Sequence, residues 1–127
     1  MNDSKVESYL INLGVTYEEV HDGTWVINDD EKGLEQVVIL LDEPLLIIRI
    51  RVMPVPDKNR EALFEKLLSL NATDIIHGAY GLDGDDVILI DTLQYDSLDF
   101  NGFQASLDAV GLALAQHYPI LSQYREK

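Results

Sequence analysis

Residues 36–52 read QVVILLDEPLLIIRIRV, and the reading of that stretch decides the fold. "QVVILLD" and "LLIIRIRV" are strong strand candidates, rich in β-branched and aliphatic residues. Pro44 has no N–H to donate into a ladder, so Asp42-Glu43-Pro44 predicts the turn between them. Both runs are apolar at nearly every position, which places them inside a sheet with one face fully covered and much of the other shielded. Arg49 and Arg51 stand two residues apart on the second run, hence on one face, with Leu45 and Ile47 ahead of them. Such a pair either receives a carboxylate-rich partner or is neutralised across strands by the chain's own Asp and Glu.

Beyond this hairpin, "MPVPD" ends the strand and starts a helix, with Asp57 as the predicted N-cap after Pro56. Leu63, Phe64, Leu67, Leu68 and Leu70 form its buried stripe, and Asn71 is the predicted end. Two more strands, about 78–82 and 86–92, flank "LDGDDV" at 82–87. A loop with Asp96, Ser97 and Asp99 precedes a long helix from about Phe100 to Tyr118, which Pro119 ends or kinks.

On the other side, Ser4 and Glu7 have capping-box spacing, and Val6, Tyr9, Leu10 and Leu13 recur at helical intervals until Gly14. "VTYEEV" and "TWVIN" around "HDG" predict another hairpin, followed by the polar connector "DDEKG". The order is helix, strand pair, strand pair, helix, strand pair, helix. Strands adjacent in pairs make antiparallel hairpins, so the fold class is α+β, an antiparallel sheet of hairpin-connected strands with helices at the N-terminus, middle and C-terminus. A chain of 127 residues fits a single domain, 1–127, able to bury roughly two-thirds of its unfolded surface.

The formal net charge is −14, and a cut after Phe64 divides it equally, leaving no basic arm. Between Leu67 and Tyr124 there is no Lys or Arg, so nucleic acid, whose binding depends on phosphate neutralisation, is not an expected partner. The absence of cysteine excludes disulfides and thiolate chemistry. "MNDSKVESYL" lacks the order of a secretory signal, and "VVILL" and "LLII" fall far short of the ~20 apolar residues that span a bilayer. A cytosolic protein that does not cross a membrane is expected.

Catalytic and metal signatures are weak. Counted as a calcium loop from Asp83, Asp85 falls at the third position, but Val87, Ile88 and Gln94 occupy the fifth, sixth and twelfth. A hairpin needs only Asp83-Gly84 at its tip, where glycine accepts positive φ. His21, His77 and His117 are scattered without zinc-ligand spacing and read as ordinary polar residues. Ser4, Ser8, Ser69, Ser97, Ser106 and Ser122 lie outside any nucleophile elbow, and no glycine-rich phosphate loop follows a strand. No enzyme activity, metal or cofactor is expected.

The last helix carries an anomaly. Phe103, Leu107, Val110, Leu114 and Tyr118 make a core stripe, while Ala105, Ala109, Leu112 and Ala113 stand where charges are usual. Such a side either faces a partner subunit or ligand chain, or simply exposes alanine as a good helix former.

Three phrases, "MPVPDKNREALFEKLLSLN" (53–71), "GAYGLDGDDVILIDTL" (78–93) and "LDFNGFQASLDAVGLALAQHYPIL" (98–121), carry a resemblance. The chain resembles the bacterial YbjN-like proteins, often labelled sensory transduction regulators, which share an α+β fold with class I type III secretion chaperones of the CesT kind. The resemblance spans nearly the whole chain and rests on folding signals, with no catalytic residue to carry over. It implies a small, acidic, cytosolic, non-enzymatic homodimer. Chaperones of that fold hold an extended client segment over apolar patches and sheet edges. The N-terminal hairpin with Trp25 is additional to a typical secretion chaperone. The leading expectation is a dimeric chaperone-like or regulatory adaptor that binds an extended segment of a client protein. The alternative is an acidic Ca²⁺ or Mg²⁺ site at Asp83, Asp85 and Asp86, or a small-ligand sensor.

Overall fold

The computed structural model describes residues 3–75 and 77–125, apart from the side chains of Asp3, Ser4 and Lys32. The proposed Ser4 cap therefore lies outside the described residues. Their order is α1 (Asp3–Leu13), β1 (Tyr17–His21), β2 (Thr24–Asp29), β3 (Leu34–Asp42), β4 (Leu45–Pro54), α2 (Arg60–Thr73), β5 (Ala79–Asp83), β6 (Asp86–Gln94) and α3 (Phe100–Leu121). The strands form one antiparallel sheet in the order β1-β2-β3-β4-β6-β5. The fold is α+β, with the pair β3–β4 at the centre of the sheet, as the density of apolar residues in 36–52 requires.

Alternation along the strands sends Trp25, Ile27, Val37, Ile39, Leu46, Ile48, Ile50, Val87 and Leu89 to one face. There they join Val6 and Leu10 of α1, Leu63, Leu67 and Leu70 of α2, and Phe103, Leu107 and Val110 of α3 in a single core. Asp99 caps α3, its carboxylate accepting from Gly102 N–H at 2.8 Å.

Several boundaries differ from the sequence reading. α2 starts at Arg60, and its N-cap is Asn59 rather than Asp57. Asn59 adopts φ +60°, a conformation asparagine tolerates better than most residues, and this delays the first helical turn. Leu68 is exposed, because the stripe Leu63, Leu67, Leu70 already fills the contact with the sheet. α3 runs through Pro119 to Leu121, so its inner face continues through the buried His117 and Leu121, and Tyr118 turns out to solvent. The β5–β6 hairpin forms, but its two-residue tip is Gly84-Asp85, one residue later than the expected Asp83-Gly84, with Gly84 at φ +59°.

Asn71 does not end α2, which continues to Thr73; it has a different task. Its side-chain amide donates to the Tyr80 carbonyl at 3.2 Å, and its amide oxygen accepts from Tyr80 N–H at 2.7 Å. The end of α2 thus satisfies both main-chain groups of a residue in edge strand β5. The Tyr80 side chain then reaches inward, its hydroxyl 2.7 Å from His117 Nδ1, while His117 Nε2 lies 3.3 Å from the Asp74 carboxylate at the end of α2. His117 is only 1 % exposed, so it is no ordinary surface polar residue, and the chain Tyr80–His117–Asp74 locks α2, β5 and α3 together.

Gly78, just before β5, has φ +82°, and a Cβ there would stand 2.4 Å from the Ile90 carbonyl oxygen. Gly78→Ala is expected to cost about 2 kcal/mol or more, combining a left-handed backbone penalty with a backbone clash. Gly84→Ala, where the added carbon meets nothing within 4 Å, should cost about 1 kcal/mol. Urea melts of the two variants check the ranking.

Burial, aided by the Asp74 carboxylate, pushes the Tyr80 phenol well above its ordinary value of 10.0. Below pH 10 the phenol is protonated in both states, and its contribution is complete. As pH rises above that value the unfolded chain releases a proton that the fold retains, so stability falls. Tyr80→Phe should lower stability by about 1 kcal/mol at neutral pH, through the lost hydrogen bond, and flatten the alkaline fall. Denaturant melts on both sides of pH 10 check both effects.

Candidate functional site

The sheet has a second face. Two rows cross it, Val26–Val38–Arg49–Ile90 and Thr24–Leu40–Ile47–Thr92, each set by the register of β2, β3, β4 and β6. Val26, Val38, Leu40, Ile47 and Ile90 are half-buried by one another, yet none belongs to the core under the helices. This outer face is the shielding that the sequence implied for the central strands, supplied by neighbouring side chains and not by a covering helix.

At one end the face opens into a cleft. β3 parts from β4 after the Val37–Ile50 pair, bending at Gln36, whose φ is +54° and whose N–H is held by the Asn28 side chain at 2.8 Å. β4 continues beside β6 to Pro54, with a register shift between Arg51 and Met53. The end of α3 lies along the gap, leaving a cleft of about 810 Å³ whose lining includes Arg49, Arg51, Ile88, Leu114, Tyr118 and Arg125. Arg49 is paired with Asp83, and Arg51 Nε lies 2.8 Å from the Asp86 carboxylate. Arg125 donates to the Val52 carbonyl at 3.1 Å, and its guanidinium lies 5.6 Å from the centre of the Tyr118 ring.

The α3 residues singled out in the sequence as a partner surface lie apart from this cleft, whereas Asp83 and Asp86 line it. On α3, Ala105 and Leu112 face outward, Leu112 being 59 % exposed, whereas Ala109 and Ala113 are half-buried and Ala113 packs on the core. Leu112 and Gly111 border a smaller groove of about 410 Å³ against Asn12 and Leu13 of α1 and Leu34. Of the three hairpin aspartates, Asp83 and Asp86 are engaged by arginines. Among the described residues no three metal-ligating side chains converge.

What the sequence reading missed was that the outer apolar face lies outside the core packed under the helices. Its signal was present: strands apolar on both faces, and too few helices to cover more than one. Among the described residues, the cleft lining contains no serine, threonine, lysine or histidine. It offers an apolar floor beside arginines, which suits the binding of a polypeptide segment.

Comparison with known proteins agrees with the architecture. No curated protein sequence matches the chain. Among solved structures, a chain of the heterodimeric ExoU–SpcU complex from the type III secretion system of Pseudomonas aeruginosa superimposes with a TM-score of 0.72 at 14% identity, covering 90% of this chain and 95% of that one. YbjN from E. coli gives 0.67 at 12%, covering 91% and 90%. The Yersinia pestis type III secretion chaperone SycH, solved in complex with a fragment of YscM2, gives 0.65 at 16%, covering 91% and 98%. At these identities the likeness shows the fold, which is that of the secretion chaperones. The family model CesT_Tir_1 matches residues 1–127, so the chain belongs to the CesT_Tir_1 family.

Proposed function

We propose that this protein is a non-enzymatic cytoplasmic adaptor that holds an extended segment of a client protein in the manner of a secretion chaperone. The observation that carries the reading is the outer face of the sheet, where Val26, Val38, Leu40, Ile47 and Ile90 form an apolar floor with no helix over it. Contiguous apolar surface of this kind on a strongly acidic protein marks an interaction site. The complexes in which structural neighbours were solved, ExoU–SpcU and SycH with its YscM2 fragment, support a polypeptide as the occupant.

The adaptor acts as a homodimer in this reading, and the outer side of α3 around Ala105, Ala109, Leu112 and Ala113 is the proposed contact. Leu112 is exposed beside the α1–α3 groove, so its replacement leaves the core untouched. Leu112→Asp is expected to weaken self-association by about tenfold or more, through loss of an apolar anchor at an interface centre, and to remove the concentration dependence of the melting temperature. Sedimentation equilibrium checks this, and an unchanged mass would remove α3 from the contact.

The client role is tested with a fluorescently labelled model protein kept unfolded by reduction and alkylation. Saturable binding is expected, and it should be lost in Leu40→Thr/Ile47→Thr, a pair of strand-compatible changes that leaves the core side of the sheet intact. Absence of binding into the high micromolar range, or binding unaffected by that pair, overturns the reading.

A further inference from the structure

Three of the chain's four arginines, Arg49, Arg51 and Arg125, line one cleft. The elements that follow α2 carry no Lys or Arg until Arg125, and in the cleft lining, Glu35, Asp83 and Asp86 balance the three arginines. Arg49 and Arg51 are not free in it: each is held by an aspartate of the β5–β6 hairpin. Those ion pairs are open to water, the Asp83 side chain being 63% exposed and that of Arg51 61%. Exposed pairs contribute little to stability, so exchanging one carboxylate for another is nearly neutral for the fold. A guanidinium also presents a planar fork that matches a carboxylate with two parallel hydrogen bonds.

The outer side of β4 reads Leu45, Ile47, Arg49, Arg51 at alternate positions. Its first half is apolar and its second half cationic, and the step between successive outward residues is roughly 6.6 Å, the same as in any extended chain. We infer that the outer face of β4 is a two-part reader for an extended partner segment: Leu45 and Ile47 take two apolar side chains, and Arg49 and Arg51 take two carboxylates at alternate positions. Asp83 and Asp86 occupy the arginines when the segment is absent and yield them when it arrives. This inference rests on the client-binding reading and adds the chemistry of the client. Charge complementarity favours it once the arginines exchange partners, because the cleft is where this acidic chain concentrates its guanidinium groups.

The probes are three labelled heptapeptides of sequence Leu-Thr-Val-Thr-X-Thr-X, with X as Glu, Gln or Lys, titrated with the full chain by fluorescence anisotropy. The Glu peptide is expected to bind about tenfold or more tightly than the Gln peptide, an advantage that shrinks as salt rises. Arg49→Gln/Arg51→Gln should abolish the preference for Glu. Asp83→Asn/Asp86→Asn should strengthen Glu-peptide binding several-fold, since the resident carboxylates no longer compete. The wild-type salt dependence gives a readout that needs no variant to fold. Equal binding of the Glu and Gln peptides, lost in Leu40→Thr/Ile47→Thr, leaves the client reading intact and overturns the acidic reader. Failure of all three peptides and of the unfolded model protein overturns both. Weaker Glu-peptide binding in the aspartate variants also overturns the proposal, because it makes Asp83 and Asp86 supports of the site instead of occupants.

Discussion

The structure depends on one constraint: a central hairpin apolar on both faces, and helices enough to cover only one. β3 and β4 bury Val37, Ile39, Leu46, Ile48 and Ile50 under the helices. A fully buried aliphatic side chain contributes about 1.5–3 kcal/mol, so this inner layer dominates the stability of the domain. Val38, Leu40 and Ile47 are then forced outward by the two-residue period of a strand. The apolar outer face is a geometrical by-product of the central strands, and it is the surface on which the proposed client binding rests.

The clasp between α2, β5 and α3 solves a different problem. β5 is an edge strand, and its neighbour α2 must end close by without leaving main-chain groups unsatisfied. Asn71 meets both needs with one amide, which carries a donor and an acceptor in the spacing of a peptide unit. Tyr80 extends the same connection inward to His117, so a residue paired to a helix through its backbone is paired to a second helix through its side chain. A buried polar chain of this kind fixes one packing of the helices where apolar contacts alone would tolerate several.

Much of the fold was legible because its signals are local. Pro44, the Asp-Gly hairpins and the polar loop before α3 each act within a few residues. The errors share a cause. Cap preference by residue type alone points to Asp57, whereas the helix begins after Asn59, whose backbone is left-handed at φ +60°. Stopping α3 at Tyr118, on the strength of Pro119, hid the helical interval from Leu114 through His117 to Leu121. Proline in the last turn removes a single hydrogen bond and does not end a helix whose far side is anchored in the core. The cleft was illegible for another reason: its arginines come from β4 and from beyond α3, and only the departure of β3 from β4 brings them together.

The Asn71 clasp also bears on how copies of this chain can meet. A sheet grows into a fibril when strands add at both of its edges, each new strand offering the next a fresh ladder. Here the β5 margin is interrupted at Tyr80 by a side chain that already holds its N–H and carbonyl. Addition is left to β1, and two molecules joined there would consume each other's free margin. One amide at the end of a helix thus blunts one margin of an aliphatic sheet against strand addition.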